Sequence, residues 1–248
     1  MKTYGSTDKG LVRKTNQDSY VIAANESGDL FCVVCDGIGG SKGGDVASSC
    51  AVRYFSTAFS ENRGFLNEAD LLSWLKVHIR KANDEIFTLS TTKREYQGMG
   101  TTMVALMLTS IGNYVINIGD SRCYALFENG RFVQLSEDHT LVQEMLKKKE
   151  ITEEEAKNHV RRHYITNALG VWNEARYDVL HVTDAVDYFL LCSDGLHGYV
   201  EDNVIEKVLK DSRLDAKKKQ HRLMELSLLA GGLDNITILL IKMEENEA

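Results

Sequence analysis

The chain has 248 residues, 43% of them hydrophobic and 26% charged, which is enough to bury a substantial core and excludes a disordered chain. Its 29 basic and 36 acidic residues leave a net charge of −7. That field repels nucleic-acid backbones and anionic lipid, so neither is an expected partner.

The apolar runs Tyr20–Ala24 and Leu30–Cys35 read as strands, being short, rich in Val, Ile, Cys and aromatics, and bounded by turn residues. Gly44–Phe59 and Glu68–Leu89 read as helices. In the second, Leu71, Leu75, His78, Ile79, Ala82 and Ile86 share one face at helical spacing. Strands are then expected at Thr101–Leu108, Tyr114–Ile118, Arg122–Phe127 and Phe132–Leu135. Asn117-Ile118-Gly119-Asp120-Ser121-Arg122 has the look of a hairpin between two of them. Glu128-Asn129-Gly130-Arg131, with its Asn-Gly pair, is a second hairpin. Two short helices follow, Leu141–Lys148 and Thr152–Asn158, the latter opened by a capping box of Thr152 and Glu155. Tyr188–Cys192 is a strand, Asn203–Lys210 and Asp215–Ala230 are helices, and Ile236–Ile241 is the last strand.

No linker, repeat or composition break divides the chain, so one domain over residues 1–248 is expected. Strands outnumber helices and are joined mostly by hairpins. That predicts an antiparallel α+β domain whose sheets are covered by helices. No apolar run reaches the roughly 18 residues of a membrane span. Met1-Lys2-Thr3-Tyr4-Gly5-Ser6 lacks the apolar core of a signal peptide. Five cysteines, an odd number, argue against a disulfide framework, and a cytoplasmic location is expected. There is no proline, so turns rest on the 19 glycines and on Asn, Asp and Ser.

The chemistry is signalled by where the aspartates sit. Asp36 ends Phe31-Cys32-Val33-Val34-Cys35 and precedes Gly37-Ile38-Gly39-Gly40. Asp194 ends Tyr188-Phe189-Leu190-Leu191-Cys192-Ser193 and precedes Gly195. Asp120 follows Gly119, and Asp234 follows Gly231-Gly232-Leu233. Any one of these, taken alone, is ordinary turn chemistry. Four carboxylates at strand ends beside glycines are also what a hard divalent cation requires, since such groups stay ionised together only around positive charge. Spacing alone does not show that they converge.

Eight segments in order make the chain similar to the type 2C class of metal-dependent protein phosphatases, in its compact bacterial form. They are Arg13-Lys14-Thr15-Asn16-Gln17-Asp18, Asp36-Gly37-Ile38-Gly39-Gly40, Gly98-Met99-Gly100-Thr101-Thr102, Gly119-Asp120-Ser121-Arg122, Asp138-His139-Thr140-Leu141-Val142, Ile165-Thr166-Asn167-Ala168-Leu169-Gly170, Leu191-Cys192-Ser193-Asp194-Gly195-Leu196 and Asp234-Asn235-Ile236-Thr237. The resemblance spans residues 5 to about 241, nearly the whole chain. It implies a sandwich of two antiparallel β-sheets flanked by helices, and hydrolysis of phosphoserine and phosphothreonine by a hydroxide bridging two Mn²⁺ or Mg²⁺ ions. By position, Asp36 matches the aspartate that bridges both ions, and Gly37 the residue that offers its carbonyl. Asp194 and Asp234 match the aspartates that complete the second site. Asp120 matches a ligand, together with Asp194, of a weaker third ion. Asp18 matches a residue acting through bound water, and Arg13 the arginine that grips phosphate. Asn16 is a candidate to position Arg13 or a water. Phosphorylated proteins are the implied substrates, with a eukaryotic-like Ser/Thr kinase as the opposing partner. A monomer is expected.

The chain departs from the pattern at two positions. Ile38 and Ser41 stand where relatives carry a histidine proposed as general acid, and neither replaces an imidazole. His139 reads as structural rather than as that acid. Residues 143–164 match a variable flap beside the active site. Its charges read mainly as a solvated helical hairpin, with Arg161 and Arg162 as candidates to meet acidic or phosphorylated substrates. The Cys32-x-x-Cys35 pair would point to opposite faces of a strand, which fits buried thiols. Cys192 lacks the loop of a cysteine phosphatase, and His78 reads as a packed core residue. Gly-rich residues 37–44 lack the Gly-Lys-Ser/Thr ending of a P-loop. The alternative of another class is a catalytically silent binding module with the same fold. The retained Asp36, Asp194, Asp234 and Arg13 argue against it.

Overall fold

In the computed structural model, residues 1–39 and 43–244 are described; Gly40 and Ser41 lie outside them. Eleven strands build two antiparallel sheets. The five-stranded sheet runs in the order β1 (Lys2–Asp8), β11 (Ile236–Lys242), β10 (Val186–Cys192), β7 (Arg122–Phe127), β8 (Phe132–Gln134). The six-stranded sheet runs β2 (Asp18–Ala24), β3 (Leu30–Ile38), β5 (Met103–Thr109), β6 (Gly112–Ile118), β9 (Asp178–Val182), with the two-residue β4 (Gly100–Thr101) paired to the end of β3.

Side-chain alternation sorts the strands between three apolar layers. On β3, Phe31, Val33 and Cys35 face helices α1 (Gly44–Ser60) and α2 (Glu68–Thr92). Cys32 and Val34 face the other sheet. On β10, Tyr188, Leu190 and Cys192 face α5 (Asp194–His197), α6 (Asp202–Lys210) and α7 (Ala216–Leu229), while Phe189 and Leu191 join the inter-sheet layer. The architecture is helix, sheet, sheet, helix, the expected sandwich. Because both faces of each central strand are buried, these segments read as unbroken apolar runs. The Cys32–Cys35 pair points to opposite faces, and all five cysteines are free and buried. His78 is half-buried rather than core, stacked on Trp74 and hydrogen-bonded to Tyr54 Oη at 2.9 Å.

The segment at residues 117–122 is not a hairpin. β6 is already paired on both sides, by β5 and β9, and β7 belongs to the other sheet, between β10 and β8. Residues 119–121 are a short crossover from one sheet to the other, which sets Asp120 at the junction. Residues 128–131 do form a hairpin, with the Phe127 N–H donating to the Arg131 carbonyl at 2.9 Å. The apolar run 101–108 is two strands, broken where the Thr102 N–H turns to the Asp36 carbonyl. Two short helices, α3 (Leu141–Lys147) and α4 (Glu153–Lys157), project between β8 and β9, and α4 carries the expected capping box. No helix among the described residues is long and apolar enough to cross a membrane.

Candidate active site

Five chain segments meet at one edge of the sandwich. Asp18 opens β2 directly opposite Asp36 near the end of β3. Asp120 lies in the sheet-to-sheet crossover, Asp194 opens α5 straight after β10, and Asp234 sits two residues before β11. Glycines let these segments approach. A Cβ on Gly37 would lie 2.1 Å from the Gly44 carbonyl oxygen, and one on Gly195 would lie 2.0 Å from that of Asn235. Gly195 therefore lets the Asp194 turn seat directly on the Asp234 loop.

Buried polar side chains fix the Asp36 backbone and the Asp18 carboxylate. The Asp36 carbonyl accepts from the Thr101 hydroxyl and the Thr102 N–H, both at 2.9 Å, and the Asp36 N–H donates to Thr102 Oγ1 at 2.9 Å. Asp18 Oδ2 accepts from Ser193 Oγ at 2.6 Å and Thr237 Oγ1 at 2.7 Å. Since the one Thr237 hydroxyl hydrogen goes to Asp18, Thr7 is the donor in the 2.7 Å contact between the two threonines. Asn235 accepts from the Gln17 N–H at 2.8 Å and donates to the Lys9 and Thr15 carbonyls at 2.8 and 3.0 Å, tying the loop that carries Arg13 to the start of β11. Thr7, Ser193, Asn235 and Thr237 were not singled out from the sequence. Three of them stand inside the quoted motifs, which was the available signal.

The cluster is electrostatically costly. Burial comes first among the causes that raise the carboxyl pKa values, followed for Asp36 by the charges of Asp18, Asp194, Asp120 and Asp234. Asp36 and Asp194 are held well above the usual carboxylate range. Burial moves Asp18 up to about 6, and burial with the nearby Asp138 moves Asp120 up to about 7. Asp18 Oδ1 and Asp194 Oδ1 are buried with no hydrogen-bond partner. Such atoms are expensive to leave bare, and oxygen-only donors of this charge suit a hard divalent cation. Among the described residues, no three His, Cys, Asp or Glu side chains are arranged to hold a metal ion by themselves. A complete shell would draw on a backbone carbonyl such as that of Gly37, and on water.

Arg13 reaches this cluster. Its Nη2 donates to Asp234 Oδ2 at 2.6 Å, while its side chain remains 51% exposed. Among the described residues Asn16 makes no hydrogen bond to Arg13. Its amide donates to Thr7 Oγ1 at 2.8 Å and its carbonyl oxygen accepts from the Asp18 N–H at 3.1 Å, so its work is on the hydroxyl chain and the start of β2.

Ile38 is half-buried on β3 beside Gly100 and supplies no proton. His139 is structural. Its Nδ1 accepts from the Gly119 N–H at 3.1 Å, so Nε2 carries the proton donated to Asp178 at 2.9 Å. His197 Nε2 donates to the Asp120 carbonyl at 3.0 Å, and burial holds it well below the usual imidazole range. The thiols are not nucleophiles: burial pushes Cys32 up to about 12, and Cys35 and Cys192 also rise on burial.

A groove of about 1440 Å³ opens from Asp120 and Asp194 and runs out between the α3–α4 projection and the turn from α5 to α6.

Residues 12–227 match the family described as protein phosphatase 2C. The chain is 38% identical over 239 residues to the serine/threonine phosphatase stp of Listeria monocytogenes serotype 4b, covering 96% of this chain and 94% of that one. It is 33% identical over 244 residues to the protein phosphatase PhpP of Streptococcus pneumoniae serotype 2, covering 98% and 97%. Its fold superposes on the crystal structure of the serine/threonine phosphatase Stp1 from Staphylococcus aureus with a TM-score of 0.91, at 31% identity and 98% and 95% coverage. The chain belongs to the protein phosphatase 2C family, whose members are metal-dependent.

Proposed function

We propose that this protein hydrolyses phosphoserine and phosphothreonine in protein substrates, as a metal-dependent serine/threonine phosphatase. The observation that carries the reading is the gathering of five aspartates from separate segments at one sheet edge, with a guanidinium beside them and two carboxyl oxygens bare. In this reading Asp36, the Gly37 carbonyl, Asp194 and Asp234 hold two divalent cations, Mn²⁺ or Mg²⁺. Asp120 joins Asp194 at a weaker third position. Asp18, with Oδ2 engaged by two hydroxyls and Oδ1 free, acts through water. Cations held there would neutralise the phosphate dianion and make a water acidic enough to act as nucleophile near neutral pH.

Arg13 exchanges Asp234 for substrate, because its planar fork matches two phosphate oxygens. Catalytic work rests on Asp36, Asp194 and Arg13. With isoleucine at 38, the leaving alkoxide takes its proton from water. Residues 143–164 form a flap on a single catalytic domain. The five reduced thiols fit a cytoplasmic enzyme, and a eukaryotic-like Ser/Thr kinase is the partner that would supply its substrates. We expect a monomer.

The test is hydrolysis of a phosphothreonine peptide by chelator-stripped protein, with and without Mn²⁺. Turnover only with metal is expected. No turnover by protein shown to bind two Mn²⁺ would overturn the reading in favour of a silent binding module.

A further inference from the structure

We infer that the groove beside the flap binds the acidic flank of the phosphoprotein substrate, a reading that rests on the phosphatase function proposed above. The argument starts from which charges in the groove are already neutralised. Asp138 is held by Arg122 through three hydrogen bonds of 2.7, 2.9 and 3.1 Å, and Lys147 pairs with Glu137 at 2.9 Å. Lys149, Lys157 and Arg162 also line the groove, and among the described residues none of the three makes an ion pair. Arg161, the other arginine of the flap, does not line it.

Three uncompensated cations on one wall stand out in a chain whose acids outnumber its bases by 36 to 29. The flap wall also carries Glu153. The lining opposite carries Glu201 and Asp202, the latter accepting from Tyr124 Oη at 3.0 Å and paired with Arg122 Nη1 at 3.9 Å. The groove is thus polarised across its width, basic on the flap and acidic opposite.

Lys149 adds a second sign. It has φ of +57°, and it is the one non-glycine with positive φ among the described residues. It follows the last turn of α3, its N–H donating to the Leu146 carbonyl at 2.9 Å, where glycine is the relaxed choice. A non-glycine residue in this backbone region is uncommon, and here the turn sets a lysine on the groove lining. With the phosphate at the aspartate cluster, chain on one side of the phosphoresidue passes along this wall. Glutamate or aspartate in that stretch meets Lys149, Lys157 and Arg162.

The test compares phosphothreonine peptides flanked by glutamates, alanines or lysines, with 4-nitrophenyl phosphate as a substrate too small to reach the flap. The native enzyme should favour the glutamate-flanked peptide over the lysine-flanked one by about tenfold in kcat/KM, a modest factor because the charges are exposed. The preference should shrink as salt rises from about 0.05 to 0.5 M, where screening shortens to a few ångströms. In K149E/K157E and in R162E it should be lost or reversed, and in K149Q/K157Q reduced, while 4-nitrophenyl phosphate turnover stays within about twofold. Equal kcat/KM for the peptides, a lysine preference, or a preference that survives the variants would overturn the groove assignment and leave the phosphatase reading standing. Failure to turn over any of these esters with Mn²⁺ present would instead sink the phosphatase reading, and the groove assignment with it.

Discussion

Asp36 holds its place against a strong electrostatic penalty, and replacing it separates stability from activity. Its carboxyl is buried and faces the charges of Asp18, Asp194, Asp120 and Asp234. Asp36→Asn keeps the shape and removes one of the repelling charges, so the metal-free protein should become more stable, with a higher Tm by differential scanning fluorimetry. The same change should cut phosphopeptide turnover by roughly a hundredfold or more and shrink the stabilisation gained on adding Mn²⁺. A variant with native turnover would remove Asp36 from the metal site. Arg13 behaves differently, because it is half exposed and touches the cluster only through Asp234. Losing a charged, two-pronged contact to phosphate costs about 1.5–3 kcal/mol, or roughly 10–100-fold in kcat/KM. For Arg13→Ala most of that should appear in KM, and an unchanged KM for a phosphopeptide would contradict the role.

Elements rather than single side chains bring the aspartates together, and the turn at Gly195 is the tightest join. A methyl there would meet the Asn235 carbonyl at 2.0 Å, backbone against backbone, with no flexible group to yield. Gly195→Ala should cost about 3 kcal/mol by chemical denaturation and lower turnover, because Asp194 and Asp234 would be pushed apart. Gly130→Ala, at φ of +81° in the β7–β8 hairpin with nothing near its Cβ, should cost only about 1 kcal/mol. Equal costs would mean the packing at Gly195 is looser than its contacts indicate. The legibility of elements follows the same physics of burial. Strands buried on both faces, such as β3, β5 and β10, were plain in the sequence as apolar runs. Edge strands β1 (KTYGSTD) and β9 (DVLHV) were missed, because each has exposed positions and no apolar run. The four-residue α5 was also missed, too short to show a helical period. The error at 117–122 has another cause. A strand buried on both faces does not announce which sheet it joins, so a crossover of three residues and a hairpin turn look alike.

For the molecule as a whole, the aspartates of the site were legible as residues but not as a cluster, since local patterning carries no information on which strand ends meet. The eight ordered motifs supplied that through family resemblance, and the fold then added the hydroxyl chain from Thr7 through Thr237 to Asp18. The consequence reaches global stability. Asp18 moves from 3.8 to about 6 on folding without metal, and Asp120 from 3.8 to about 7. A carboxyl whose folded pKa is raised binds its proton more tightly in the native state. Its contribution to stability is therefore fully present below about pH 4 and is lost as pH rises through the folded value. A shift of about two units corresponds to about 3 kcal/mol, and for a protein of this size that is roughly 5–10 °C in Tm. These groups act against the general trend, in which paired surface carboxylates such as Asp211, held at about 2 by Arg213, favour neutral over acid pH. Chelator-stripped protein should therefore lose Tm as pH rises from 5.5 to 8. Saturating Mn²⁺ should flatten or reverse that loss, because a bound cation favours the ionised carboxylates. Asp18→Asn should weaken the pH dependence of the stripped protein, with its Tm closest to native at the acid end and increasingly above native as the pH rises through the folded value. A stripped protein whose Tm rises steadily across that range would show that the cluster is already compensated without metal, and that its aspartates are not poised for a cation.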